Sequence, residues 1–280
     1  MATPPIALTI AGSDSSGGAG IQADLNTFAA LGVYGATAIT AITAQNTTGV
    51  QGIEVVAPAF VDEQLASILA DLRVAAVKTG MLATAAMVET AARRAAAGVL
   101  PNLVVDPVMV AASGDRLLDE NAERAYVDHL FPHARVITPN LAEAACLVGH
   151  PIQSLADMRA AATELVATGA GCVVVKGGHM IDGEGAEESI DVMVCGGDIT
   201  ELRAPRVDTR NVHGTGCTFS AAIAALLARG HGDAESVTMA KSFVTAAITA
   251  GAAWRIGRGS GPVGHAVAGR AIPEQAVPAG

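Results

Sequence analysis

The sequence predicts an α/β fold: a central, mostly parallel sheet between helical layers, with a site along the carboxyl edge of its strands. Two observations carry this reading. Short β-branched runs alternate with alanine-rich helical stretches through most of the chain, as in successive βα units. Five of those runs also end in polar residues, glycine or proline: Gln45-Asn46 after 37–44, Lys78-Thr79-Gly80-Met81 after 75–77, Asp106-Pro107-Val108 after 103–105, Pro139-Asn140 after 135–138, and Lys176-Gly177-Gly178 after 172–175. One such cluster is ordinary loop punctuation. Five at the same end of parallel strands describe the edge where open α/β sheets bind ligands.

In chain order, the first strand is 6–10, followed by a glycine-rich loop over 12–20 and a helix over 21–31. Residues 37–44 read as a buried strand, because both faces are apolar or threonine. Residues 53–56 read as a short strand outside the main sheet, and Pro58 opens a helix to about 72. Within the glycine- and acid-rich stretch 180–202, runs 189–194 and 199–202 predict a hairpin. Helices over 215–229 and 233–254 follow, then a glycine-rich, irregular tail from Gly257. No repeat or interdomain linker interrupts the pattern, so residues 1–280 read as a single domain.

Composition narrows the partners. A net charge of −10 without a basic cluster argues against nucleic acid and anionic membranes, and 3% aromatic residues offer no base-stacking platform. No apolar run reaches transmembrane length, and Met1-Ala2-Thr3-Pro4-Pro5 lacks the basic region of a signal peptide. The cysteines at 146, 172, 195 and 217 show neither CxxC nor zinc spacing, which fits a reducing cytoplasm.

Two nucleotide motifs fail on inspection. Gly18-Ala19-Gly20-Ile21-Gln22-Ala23 fits G-x-G-x-x-A, but the second strand ends in Ala44-Gln45-Asn46 with no acid to hold a ribose. Gly12 to Gly17 has Walker A spacing, yet Gly18-Ala19 follows where Lys-Ser/Thr is required. The stretch 211–218, Asn-Val-His-Gly-Thr-Gly-Cys-Thr, is more informative. It is a glycine turn running into a helix whose apolar residues Phe219, Ile223 and Leu226/Leu227 share one face. Its backbone N–H groups and helix N-terminus suit a phosphate. Cys217, in the first helical turn, is expected to have a lowered thiol pKa; the alternative is a small buried cysteine.

Other polar residues keep two readings each. Asp24, one turn into the second element, suits either a substrate hydroxyl or amine, or the helix dipole. Asn140 and Glu143, at i and i+3, suit either magnesium water and phosphate oxygens or a capping box. Lys241 lies on an apolar helical stripe, where lysine either snorkels or reaches a nucleotide phosphate; Lys176 is equally ambiguous. The histidines, including His213 and His265, form no metal spacing and read as structural.

Together these segments resemble the ribokinase superfamily, and within it the hydroxymethylpyrimidine/phosphomethylpyrimidine kinases of thiamine biosynthesis. The resemblance rests on 11–24 (AGSDSSGGAGIQAD), 43–47 (TAQNT), 78–82 (KTGML), 106–109 (DPVM), 138–144 (TPNLAEA), 175–179 (VKGGH), 213–218 (HGTGCT) and 257–263 (GRGSGPV), in the family's order over about residues 6–265. It implies a ribokinase-like three-layer sandwich and a cytoplasmic, homodimeric kinase. That enzyme would use ATP and Mg²⁺ to phosphorylate the hydroxymethyl group of an aminopyrimidine, then the resulting monophosphate to the diphosphate. It further implies Cys217 as general base, where most of the superfamily carries aspartate, with Gly214, Thr215 and Gly216 around the transferring phosphoryl group. Gln45, Gly12, Asp24, Met81 and Val108 would contact substrate; Asn140, Glu143, Lys176, Lys241 and Asp106 would serve Mg-ATP, with Glu143 toward the metal. Ser15 departs from the proline many members carry. The rival readings are a pyridoxal or pyridoxine kinase on the same fold and a non-catalytic pyrimidine-binding regulator.

Overall fold

The computed structural model describes residues 3–109, 120–178 and 187–268. Nine strands form one sheet: β1 (Ile6–Asp14), β2 (Tyr34–Asn46), β3 (Gly49–Val55), β4 (Val74–Thr79), β5 (Leu103–Val105), β6 (Val136–Ile137), β7 (Cys172–Val175), β8 (Glu188–Cys195) and β9 (Asp198–Pro205). Their spatial order is β3-β2-β1-β4-β5-β6-β7-β8-β9. The pairs from β2 through β7 are parallel, while β3, β8 and β9 add antiparallel edges.

Strands β4 to β7 run two to six residues and, with β1, are mostly buried, because period-two alternation sends neighbouring side chains into two different cores. Strand β2, expected to be buried over 37–44, instead leaves Ile42 and Ala44 exposed, where only the edge strand β3 lies beyond it. Leu8, Val77, Leu103, Ile137 and Val173 point into one. It is covered by α2 (Pro58–Asp71), α3 (Ala85–Ala96), α5 (Leu141–Val148) and α6 (Leu155–Val166), with α4 (Glu120–Ala125) and the short turns over 126–133. Ala7, Ala76, Val104, Val136 and Cys172 point into the other, under α1 (Gly20–Ala30), α7 (Thr215–Ala228), α8 (Asp233–Gly251) and the one-turn α9 (His265–Ala268). Alanine fills much of α7 at full burial, which lets that helix lie close to the sheet.

Three further expectations change. The strand expected outside the sheet is β3, hydrogen-bonded antiparallel to β2. The side chain of Asn46 accepts from Thr48 N–H (2.9 Å) and Thr48 Oγ1 (2.6 Å), closing a turn tight enough to return the chain along β2. The loop expected from Gly12 instead begins after Asp14, since β1 continues past a register shift at Gly12 to pair Ser13 and Asp14 with β2. The tail contains α9, and its residues 269–280 lie outside the described residues, as do 179–186 of the acid-rich stretch. No helix among the described residues is long and apolar enough to cross a membrane.

From β1 the chain runs outward to β2 and β3, then crosses back to β4 on the other side of β1. The carboxyl ends of β1 and β4 therefore flank a topological switch point, where a crevice opens.

Candidate active site

The crevice is walled by two glycine-containing loops joined through Asp14, which the sequence reading did not single out, and His213, which it took as structural. Asp14 ends β1. Its Oδ1 accepts from Ser16 N–H and Oγ (2.8 Å each), and its Oδ2 from Gly18 N–H (3.2 Å), Ala19 N–H (2.9 Å) and His213 Nε2 (2.8 Å). Burial alone would raise this carboxyl, but these donors, His213 foremost, hold it well below the usual carboxylate range. Across the gap, a Cβ on Gly214 would stand 1.9 Å from the Gly18 carbonyl, and its φ of 81° lies in the left-handed region; glycine alone fits both demands. Asn211 anchors the second loop, donating to the Gly251 and Trp254 carbonyls (2.8 Å each). The hints were local ones: Asp14 lies four residues before Gly18, and His213 immediately precedes Gly214.

Gln45, at the end of β2, meets this clamp. Its side chain lies 3.4 Å from His213 Nε2 and 3.1 Å from Thr43 Oγ1, and Thr43 donates to the Ser13 carbonyl (2.9 Å). Because His213 Nε2–H is directed at Asp14, the amide oxygen of Gln45 suits the side toward the imidazole and its NH₂ the side toward Thr43. Ser15, the departure from family pattern, ties the loop to β2 by accepting from Gln45 N–H (2.9 Å) and donating to its carbonyl (2.8 Å). Gly12 is buried beside Met81, whose terminal methyl would lie 2.6 Å from an added Cβ; Met81 and Val108 are both half-buried at strand ends.

Below the loops runs a row of buried charge. Lys78 of β4 donates to both oxygens of Asp24 (3.0 and 2.8 Å), and Thr9 Oγ1 donates to Asp24 Oδ2 (2.6 Å). Both partners are 0% exposed. Burial opposes the Lys78 ammonium, but the charges around it, Asp24 first and Asp106 with it, more than reverse this and keep it protonated. The expected substrate contact of Asp24 is therefore corrected: its carboxylate presents no open surface and serves as counter-ion to Lys78. Farther along, Asp106 accepts from Lys176 (2.7 Å), Thr138 (3.1 Å) and Ser220 (3.3 Å). Lys176, and next Lys78, overcome burial to draw Asp106 below the ordinary range.

Helix α7 opens onto this row. Thr218 N–H makes the first intrahelical bond, to Gly214 (2.8 Å), so the N–H groups of Gly216 and Cys217 have no partner within the helix. A Cβ on Gly216 would lie 3.3 Å from Lys176 Nζ. Glycine thus leaves room for an anion between an ammonium and a helix N-terminus. The expected lowering of the Cys217 pKa is overturned. Burial pushes the thiol up to about 11; Lys78 partly offsets this, whereas Asp24 and Asp106 add to it.

Asn140 and Glu143 form a capping box at the start of α5: Asn140 Oδ1 accepts from Glu143 N–H (2.9 Å) and Glu143 Oε2 from Asn140 N–H (2.8 Å). Burial pushes Glu143 up to about 7, with Lys176 opposing. Lys241 does not snorkel. It donates to Asp191 (2.8 Å) and Ser189 (3.0 Å), and Asp191 also accepts from Gly177 N–H (2.9 Å). Its ammonium is thus committed to β8 rather than open to a phosphate. Its stem lines an open cleft of about 600 Å³ between β9 and α8, with Arg203, Pro205 and Thr245. His265, as expected, is structural, buried against Thr218 Oγ1 at 2.8 Å.

The donors around Gly216, all backbone N–H or ammonium, fit a polyphosphate. The described residues include no cluster of three metal-ligating side chains. Asp106 and Glu143 nearby match the needs of Mg²⁺, which takes few carboxylates and completes its shell with water and phosphate oxygens.

Comparison with known proteins identifies the family. The phosphomethylpyrimidine kinase family model matches residues 14–264. A hydroxymethylpyrimidine/phosphomethylpyrimidine kinase of Rhizobium meliloti is 51% identical over 264 residues, covering 93% of this chain and 96% of its own length. Among solved structures, pyridoxal kinase from Staphylococcus aureus in complex with AMP-PCP and pyridoxal superimposes with a TM-score of 0.85 at 38% identity, covering 95% of each chain. Phosphomethylpyrimidine kinase from Clostridium difficile does so with 0.76 at 39% identity, covering 87% of this chain and 99% of that one. The nine-stranded, mostly parallel sheet between helical layers is accordingly ribokinase-like, and the chain belongs to the phosphomethylpyrimidine kinase family.

Proposed function

We propose that this chain is an ATP-dependent kinase of thiamine biosynthesis. It phosphorylates the hydroxymethyl group of 4-amino-5-hydroxymethyl-2-methylpyrimidine and then the resulting monophosphate to the diphosphate. The observation that carries the reading is the α7 terminus, where the Gly216 and Cys217 N–H groups have no partner within the helix, Lys176 stands against Gly216, and Cys217 lies in the same first turn.

Phosphoryl transfer needs mainly positioning and charge stabilisation. Gln45, held by Thr43 and His213, offers a donor and an acceptor to the aminopyrimidine edge, and Met81 and Val108 pack on the ring. The triphosphate lies along α7, its γ-group at Gly214, Thr215 and Gly216, with Lys176 neutralising charge as the bond to the leaving oxygen breaks. Cys217 takes the hydroxyl proton as the oxygen–phosphorus bond forms. Mg²⁺, held near Asp106 and Glu143 through water, would neutralise phosphate oxygens. The nucleoside occupies the cleft beside Lys241, which acts through Asp191 on Gly177 rather than on a phosphate.

The enzyme works in the cytoplasm as one kinase domain. It dimerises through the apolar edge of β2 and β3, where Ile42, Val50, Ile53 and Val55 are exposed. A second reading, phosphorylation of pyridoxal or pyridoxine, draws on the pyridoxal-bound Staphylococcus relative. Gln45 favours the pyrimidine, since pyridoxal brings a ring hydroxyl and aldehyde instead of an amino group beside a ring nitrogen.

The test is ADP release from Mg-ATP with hydroxymethylpyrimidine, its monophosphate and pyridoxal, alongside Cys217→Ala. Turnover of both pyrimidines, reduced about 100-fold or more in the variant, is expected. Turnover of pyridoxal alone would overturn the substrate, and silence with all three in a protein that binds the ring would favour the regulator.

A further inference from the structure

Away from the crevice, two thiols face each other. Cys172 is the first residue of β7 and Cys195 the last of β8, and they are direct partners in the antiparallel register. Both side chains lie on the sheet face covered by α7 and α8, Cys172 fully buried and Cys195 half-buried at the margin of that core. The register sets the two thiols directly opposite each other across the strand pair. Opposed residues on antiparallel strands hold their Cβ atoms about 4.5–5.5 Å apart, close to the separation a disulfide spans. Lys176 lies four residues beyond Cys172, just past the end of β7, about 13 Å at the rise of a strand, so this pair is remote from the phosphate donors.

We propose that Cys172 and Cys195 are a peroxide-sensitive pair that closes to a cross-strand disulfide, a modification site distinct from Cys217. Cys195, the accessible member, meets hydrogen peroxide first. Its thiolate sulfur bonds to one peroxide oxygen, the O–O bond breaks, and the departing hydroxide takes up a proton to become water. Cys172 sulfur then attacks the Cys195 sulfenic acid: the S–S bond forms, the S–O bond breaks, and hydroxide leaves with the Cys172 proton as a second water. The two thiols together lose two electrons, and one peroxide becomes two waters. The link staples the β8–β9 edge to the parallel sheet in its existing register, so activity persists in the linked protein.

Trypsin makes the test direct, because it cuts after Arg159, Lys176 and Arg203 and so places the two cysteines on separate peptides, 160–176 and 177–203. The full chain is treated with hydrogen peroxide, remaining thiols are alkylated, and the digest is read by mass spectrometry with and without reductant. The expected result is a 160–176/177–203 linked pair, about 2 Da lighter than the sum of its reduced peptides, released by reductant and absent in Cys195→Ser. Because Cys195 lies at the core margin, that variant is expected to fold and to release ADP at the untreated wild-type rate. A link that instead involves Cys146 or Cys217 would overturn the proposal. So would sulfinic acid at Cys195 with Cys172 still open to alkylation after unfolding, or two unmodified thiols after exposure that oxidises Cys217.

Discussion

Asp24→Asn keeps the shape of the side chain and removes the charge that Lys78 is paired with. Lys78 is fully buried, and its ammonium bonds to both carboxylate oxygens at 2.8 and 3.0 Å. Removing one member of such a pair leaves an uncompensated ion away from water, at a cost of about 3–5 kcal/mol. A chain of this size shifts its unfolding midpoint by about 2–4 °C per kcal/mol, so the variant is expected to melt about 10 °C lower. Adding Lys78→Met removes the stranded charge, and the double variant should recover most of the loss. The assay is thermal unfolding of wild type, both single variants and the double variant, with steady-state ADP release measured on the same preparations. A single variant melting within about 2 °C of wild type, with KM for hydroxymethylpyrimidine raised and kcat unchanged, would refute the reasoning. Asp24 would then be a substrate ligand. A double variant no more stable than the singles would refute the pairing.

With the Cys217 thiol pushed up to about 11 and acting as base, log kcat/KM for the hydroxymethylpyrimidine should climb between pH 7 and 10. A plateau beginning near pH 7 in stopped-point ADP assays would remove Cys217 from that role. Gly214→Ala places a methyl against the Gly18 carbonyl at a positive φ, and kcat/KM is expected to fall at least about 100-fold; near-wild-type kinetics would contradict the close approach of the loops. Burial holds His265 down at about 4 against an ordinary 6.5, so it is neutral in the folded chain while the unfolded chain takes up a proton. Stability from this group is therefore full above about pH 6.5 and is lost as pH falls toward 4, by about 3 kcal/mol in all. Urea midpoints at pH 7 and 4.5 should differ less in His265→Gln than in wild type.

Most of the architecture was legible because it is written locally. The alternation of apolar runs with helical stretches, and the polar residues collected at strand ends such as Lys78, Asp106 and Lys176, reflect periodicity and chain reversal within a few residues. The hairpin of β8 and β9 emerged for the same reason. β3 was misplaced because its partner depends on the turn that Asn46 closes, and the same short run would otherwise serve as a free-standing strand. At the site, Gln45, Gly12, Met81 and the 214–217 turn stand along the same crevice, while Asp14 was not singled out and His213 was read only as structural. Their pairing spans 199 positions, and no spacing within the chain reports it.

Alone, then, the sequence determined the α/β class, the carboxyl edge as the working surface and the glycine turn that opens α7. These depend on backbone preferences and short-range pattern. Only the tertiary structure decided what each charged group is for. Asp24 and Lys241 look in sequence like ligand-binding residues, yet in the fold Lys78 and Asp191 claim them. A first-turn cysteine suggests a lowered thiol pKa, yet burial raises it. The reason is physical: the energy of a charge depends on the water removed from it and the counter-ions brought to it. Both are properties of packing between segments far apart in the chain.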